Sequence, residues 1–190
     1  KNLFFKKLPI TDVFNNRFVN SKKYYFDQKV NYCKSCNHLF LGRQINSKLI
    51  KNPKNYLFSS SKSYSAIQSN DTFFDFIDKN IKSKKNNLIT VSGSNDLYLL
   101  KKFYKYSKKL VGIDPVVAED KKLKKIKCIK NFFGQKIIKK YLNKDSDVII
   151  CGHTLEHVEN VDQFIEDVLS ISNSKTKIFF QFPSAETLIR

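Results

Sequence analysis

The sequence predicts an α/β fold, a doubly wound and mostly parallel sheet preceded by a small β region. Three observations carry that prediction. From Ser69 onward, strand-like and helix-like patterns alternate, as in successive βαβ units. The strand-like runs are almost continuously apolar, as expected of strands covered on both faces. Residues 1 to about 66, in contrast, lack helical periodicity. Together these read as a Rossmann-like domain over 67–190, incomplete at its C-terminus, behind a separate region over 1–66.

The elements follow in order. "KKYYFDQKVNYCKSCNHLFL" holds two extended runs flanking Cys33 and Cys36. "NYLFSSSKSYSA" is a Ser/Tyr-rich connector, too aromatic for a flexible linker. "SNDTFFDFIDKNIKS" offers capping residues and then Phe73, Phe74, Ile77 and Ile81 at helical spacing. Strands are expected at 87–92, 109–114, 125–129, 147–151 and 177–182. Helices are expected near 96–107, 134–143 and 161–171, the last with Val161, Phe164, Ile165, Val168 and Leu169 on one face.

Composition bounds the function. With 17 Phe, 9 Tyr and 41% apolar residues, the chain of 190 residues can bury a core. No apolar run approaches the ~20 residues of a membrane span, and no signal peptide opens the chain. There is no Met, so a piece of a longer chain is expected. The net charge of +18 suits an anionic small substrate. It argues less for nucleic acid, because only Arg17, Arg43 and Arg190 are Arg and base readout favours the guanidinium fork. Cys128 and Cys151 lie in apolar strand patterns as buried thiols. With no disulfide framework, a reducing cytoplasm is the expected compartment.

In doubly wound sheets ligands bind beyond the carboxyl ends of the strands. "VSGSNDLYLL" stands there after the first strand. Gly93 allows close backbone approach, and the helix expected from Asp96 presents free N–H groups. Asp114 closes the second strand, where a carboxylate can accept both ribose hydroxyls of an adenosine or cap the turn at Pro115. The three-glycine dinucleotide fingerprint is missing, which argues against NAD. Phe132 and Phe133 follow the third strand, either against an adenine or in the core. His153, Glu156 and His157 follow the fourth, placed for proton transfer, for helix capping or, for the two His, for a metal.

"SGSNDLYLL", "VGIDP", "NFF", "HTLEHV" and "FFQFP", in that order, resemble the class I S-adenosylmethionine-dependent methyltransferases. With "LPITDVF", the Cys-x-x-Cys stretch and the Tyr/Ser segment, nearly the whole chain resembles the sugar C-methyltransferases, which carry a zinc-binding domain ahead of that fold. The resemblance implies a zinc-ribbon-like front with Cys33 and Cys36 on a structural zinc. It puts Gly93, Ser94, Asn95 and Asp96 at the methionine end of the cofactor, Asp114 on the ribose, and Phe132 or Phe133 beside the adenine. Tyr56 and Ser61 would fold over cofactor or substrate, and His153, Glu156 and His157 would border the methyl-transfer site. The implied reaction is C-methylation of a nucleotide-linked keto-deoxysugar through an enolate.

The sequence departs from that pattern in three places. Val91 stands where the family has an acid, and Leu97 where it has a second glycine. The family's zinc site uses two Cys pairs, whereas only Cys33 and Cys36 are present; the second pair is expected ahead of Lys1, with His38 as the lesser alternative. The family's Glu-His base lies downstream of the fifth strand and is expected beyond Arg190. Two other readings remain open: a methyltransferase acting on RNA or a small metabolite, and a non-enzymatic zinc-ribbon module with a degenerate methyltransferase fold.

Overall fold

The computed structural model describes residues 2–9, 25–36, 38–43, 45, 59–81, 86–91, 95–105, 107–117 and 123–184. The chain divides into two compact units, Lys1–Leu57 with Ile189–Arg190, and Phe58–Leu188.

The first unit holds an antiparallel sheet of β1 (Asn2–Pro9), β2 (Tyr25–Tyr32) and β3 (Leu39–Leu41), in that order. The β1–β2 register shifts between Phe5 and Leu8, where Lys7 takes a positive φ of 51° and donates its N–H to Asp27. Such a bulge accommodates an extra residue by bending one strand. β2 and β3 are the two extended runs expected on either side of Cys33 and Cys36. The tight turn between them is closed by the Cys33 N–H donating to the His38 carbonyl at 2.8 Å.

The second unit is built on a parallel sheet of β4 (Asn87–Val91), β5 (Lys109–Ile113), β6 (Ile126–Ile129), β7 (Val148–Gly152) and β8 (Lys177–Gln181). Its strand order is β6-β5-β4-β7-β8, so the chain reverses direction across the sheet between β4 and β7. All five strands fall within a residue or two of the expected ranges. The helices are α1 (Tyr64–Asn80), α2 (Tyr98–Lys102), α3 (Gln135–Tyr141) and α4 (Val161–Ser170).

Successive side chains of a strand alternate between the two faces of its sheet. Leu110, Val148 and Ile150 pack with Phe73 and Ile77 of α1 and with Leu99, Leu100 and Phe103 from α2 and its end. Val111, Ile113, Ile149 and Cys151 pack with Ile137 and Ile138 of α3 and with Phe164 and Val168 of α4. Fully burying one such side chain contributes roughly 1.5–3 kcal/mol, so these two layers are what hold the five strands in place.

Three details differ from the sequence reading. α1 begins at Tyr64 rather than near Ser69, after a 3-10 turn at Ser60–Lys62. The helix expected over 96–107 is only Tyr98–Lys102, because Leu97 is left-handed at φ 60° and the chain leaves the helix at Phe103, whose ring is fully buried. On α4 the buried stripe is Phe164, Asp167 and Val168, while Val161 and Leu169 are exposed. Asp167 can be buried because Gln135 and Gln163 both donate to its carboxylate.

Candidate active site at the carboxyl edge

The strand order brings the carboxyl ends of β4, β5, β6 and β7 to one edge, with the reversal point between β4 and β7. Asn95, Asp96, Asp114, Phe132, His153, Glu156 and His157 all follow those ends. Gly93, Ser94 and Tyr56 lie outside the described residues.

After β4, Asn95 is buried and its side-chain oxygen accepts the Asp96 N–H at 2.7 Å. Asp96 is a local hub. One oxygen accepts the Ser59 hydroxyl at 2.8 Å and the Ser61 N–H at 2.6 Å, and the other accepts the Tyr98 N–H at 3.1 Å. Burial alone would raise its carboxyl, but the bonds from Ser61, Ser59 and Tyr98 together outweigh it and leave Asp96 below the ordinary 3.8. Ser61, expected to fold over the ligand, thus uses its backbone to hold Asp96. The next residue, Leu97, keeps a left-handed backbone although it carries a side chain, which is buried in the core at 1% exposure. A bulky residue there is strained, and the buried side chain offsets the strain.

A second cluster fixes the start of α2. The Tyr98 hydroxyl donates to Asp71 at 2.9 Å, and the Lys102 ammonium lies 2.8 Å from the same oxygen. Hydrogen bonding to Lys102 and Tyr98 holds the Asp71 carboxyl below its ordinary value. The Lys102 ammonium also sits over the Phe74 and Tyr98 rings, at 5.2 and 5.3 Å. The sequence reading missed Ser59, Asp71 and Tyr98. Only the Tyr98–Lys102 spacing of four hinted at a shared helix face; nothing local pointed to Ser59 or Asp71, which come from another element.

Asp114 follows β5 directly and is buried at 6% exposure. Its N–H donates to the Ile129 carbonyl, and its carboxylate accepts the Val116 N–H at 2.9 Å. It therefore caps the turn at Pro115, at the carboxyl edge of the sheet. After β6 the two aromatics separate. Phe133 packs edge-on against Phe164 with ring centroids 5.7 Å apart, in the core, whereas Phe132 is 52% exposed. Of the pair, Phe132 is the ring open to a ligand.

His153 follows β7 with a φ of 48°, and its N–H extends the ladder by donating to the Gln181 carbonyl at 2.8 Å. A non-glycine residue held left-handed beside a sheet edge is strained, and it turns the imidazole out of the strand. His153 Nδ1 lies 3.4 Å from Glu156 Oε1. Glu156 and His157 belong to a 3-10 turn, Leu155–His157, rather than to an α-helix. Thr154 anchors that turn: it is buried, its hydroxyl donates to the Gly152 carbonyl and its own carbonyl accepts the His157 N–H.

Cys33 and Cys36 belong to the other unit. Hydrogen bonds from the Cys36 backbone and side chain, then from Ser35, lower the Cys33 thiol from its ordinary 9.0. Donors aimed at one sulfur favour a thiolate, the form that ligates metal. His38 stacks on Phe40 at 5.9 Å. Among the described residues no three His, Cys, Asp or Glu side chains are grouped to hold a metal. Also among the described residues, no helix is long and apolar enough to cross a membrane.

No family model matches the chain, and no curated protein matches it. Among solved structures it is similar to the DhpI–SAM–HEP complex, at 13% identity and a TM-score of 0.50, over 68% of this chain and 61% of that one. It is also similar to SMU.1697c of Streptococcus mutans in complex with SAH, at 15% identity and a TM-score of 0.45, over 62% of this chain and 74% of that one. The chain thus spans less than two thirds of the length of the first. At 13% identity that likeness is one of fold: a Rossmann-like α/β domain, shared with a protein solved with SAM bound.

Proposed function

We propose that the chain is part of a methyltransferase that uses S-adenosylmethionine (SAM) to methylate a carbon of a nucleotide-linked keto-deoxysugar. The observation that carries the cofactor assignment is Asp114, a buried carboxylate ending the strand next to β4 at the edge where such sheets bind ligands. Asn95 and Asp96 follow β4, the strand beside β5, and Phe132 offers an exposed ring after β6 for the adenine. SAM supplies the methyl group. The sugar acceptor rests on the order of the sequence motifs and on the Cys33–Cys36 turn, which would supply two of four ligands to a structural zinc.

In this reading His153 borders the methyl-transfer site and is a candidate to take a proton from the acceptor, beside the Glu-His base that the resemblance implies. Nδ1 lies 3.4 Å from Glu156 Oε1, which leaves Nε2 for the acceptor in this reading. Removing a proton alpha to a ketone leaves an enolate carbon able to accept a methyl group. His157, on the same short turn, borders that space.

Calorimetric titration with SAM and with its demethylated product SAH tests the reading. The folded chain is expected to bind both, and Asp114→Ala to weaken both by tenfold or more, on the order of one lost charge-assisted hydrogen bond. Absence of binding to the folded native chain would refute the cofactor assignment.

A further inference from the structure

The chain after β4 is gripped on both sides of Leu97. Just before it, Asp96 accepts the Ser59 hydroxyl and the Ser61 N–H at 2.8 and 2.6 Å. Just after it, the Tyr98 hydroxyl donates to Asp71 Oδ1, on α1, at 2.9 Å. The Tyr98 N–H also donates to Asp96 Oδ1 at 3.1 Å, which joins the two grips. Leu97 between them holds a left-handed backbone at φ 60°. Such a backbone persists in a bulky residue only where its surroundings over-determine it.

The Asp71 grip is poorly suited to adding stability. The Lys102 ammonium lies 2.8 Å from the same Asp71 oxygen, but the two side chains are 28% and 43% exposed. An ion pair so open to water contributes little. Its geometry is nonetheless specific. The Lys102 ammonium sits over the rings of Tyr98 and Phe74, at 5.3 and 5.2 Å. Phe74, three residues after Asp71 on α1, packs against the buried Phe103 with ring centroids 4.8 Å apart. The Tyr98 ring is thus held against α1 with its hydroxyl directed at Asp71.

We propose that Asp71 is a positioning residue for the cofactor: through Tyr98 it keeps residues 95–97 in the backbone shape that receives SAM. A loop free to relax at Leu97 would spend binding energy on being reordered, whereas one fixed by outer hydrogen bonds would not. The inference rests on the proposed use of SAM and adds to it a residue of α1, outside the loops at the strand ends.

Calorimetric titration with SAH compares the native chain with Asp71→Ala, Asp71→Asn, Tyr98→Phe and the double variant Asp71→Ala/Tyr98→Phe. Thermal melts fix a temperature at which all five are folded, and alanine suits the helical position of Asp71. Asp71→Ala and Tyr98→Phe are each expected to weaken SAH binding by about fivefold. The double variant should be no weaker than either, because both changes remove the same bond. Asp71→Asn should stay within about twofold of the native chain, since its amide oxygen still accepts the hydroxyl although the ion pair with Lys102 is gone. Asparagine as weak as alanine would make the charge, and not the bond to Tyr98, the operative feature, and would overturn the proposal. Native affinity in Asp71→Ala would overturn it too and leave the cluster as a staple between α1 and α2. A folded native chain that binds no SAH would instead refute the cofactor assignment itself, and this inference with it.

Discussion

Ser59 and Asp96, 37 positions apart, are joined by a hydrogen bond of 2.8 Å from the serine hydroxyl to the carboxylate. That bond, with the Ser61 N–H on the same oxygen, ties the segment before α1 to the loop after β4. The carboxylate that the sequence assigns to the cofactor is thus engaged in shaping the loop that would hold it.

Replacing Asp96 by Ala is therefore expected to destabilise the fold by roughly 1–3 kcal/mol, the cost of leaving partly buried donors unpaired. The cost should depend on pH. Asp96 titrates below its ordinary 3.8 in the folded chain, so the unfolded chain takes up its proton first as pH falls. The stability it contributes is present above that value and lost as pH falls through the folded one. Urea melts of the two chains should differ by a constant amount above about pH 5 and converge at lower pH. A gap that widens on acidification would refute this account.

Leu97 reverses a familiar order of substitutions. Glycine in place of alanine usually costs about 0.5–1 kcal/mol. At a left-handed position alanine carries a steric cost of about 1 kcal/mol that glycine avoids. Both variants lose a buried leucine side chain, a loss of roughly 2–5 kcal/mol. Leu97→Gly should therefore melt at or above the temperature of Leu97→Ala. The opposite order would mean that the left-handed backbone is not maintained.

The His153–Glu156 pair separates positioning from binding. Glu156→Gln and His153→Gln should leave SAM affinity within a factor of about two while lowering turnover of the complete enzyme by about 10²–10⁴ for His153 and less for Glu156, in line with general-base loss. Parallel loss of cofactor affinity in both variants would assign them to the binding site instead.

The cysteines should react in a set order. The Cys33 thiol is lowered by the amides of its turn, whereas burial pushes Cys151 up to about 12. At pH 8 iodoacetamide should alkylate Cys33 in the native chain and reach Cys151 only after unfolding, as read by peptide mass spectrometry. Because the folded chain holds the Cys151 proton to about 12 while the unfolded thiol releases it near 9.0, the folded state binds more protons between those values. Stability should fall as pH rises through that window. Native alkylation of Cys151 at the Cys33 rate would contradict its burial.

Much of the second unit is legible in the chain because its signals are local. Apolar runs such as Val148–Cys151 and Lys109–Ile113 announce strands covered on both faces, and the alternation with helical spacing announces a parallel sheet. Positions after strand ends are equally local, so Asp114 and His153 can be placed at the carboxyl edge from sequence alone. Helix length is not local. α2 stops at Lys102 because Leu97 and Phe103 are drawn into the core, which no periodicity within 96–107 reveals.

What the sequence determines by itself is the order of strands and helices and the set of polar residues delivered to one edge, since both depend on neighbouring residues. What only the tertiary structure decides is which of those residues meet. Phe132 faces solvent while Phe133 packs on Phe164, and Asp96 is taken by Ser59 and Ser61. Those outcomes depend on contacts between residues distant in the chain, where hydrogen-bond geometry and close packing select partners that sequence spacing leaves open.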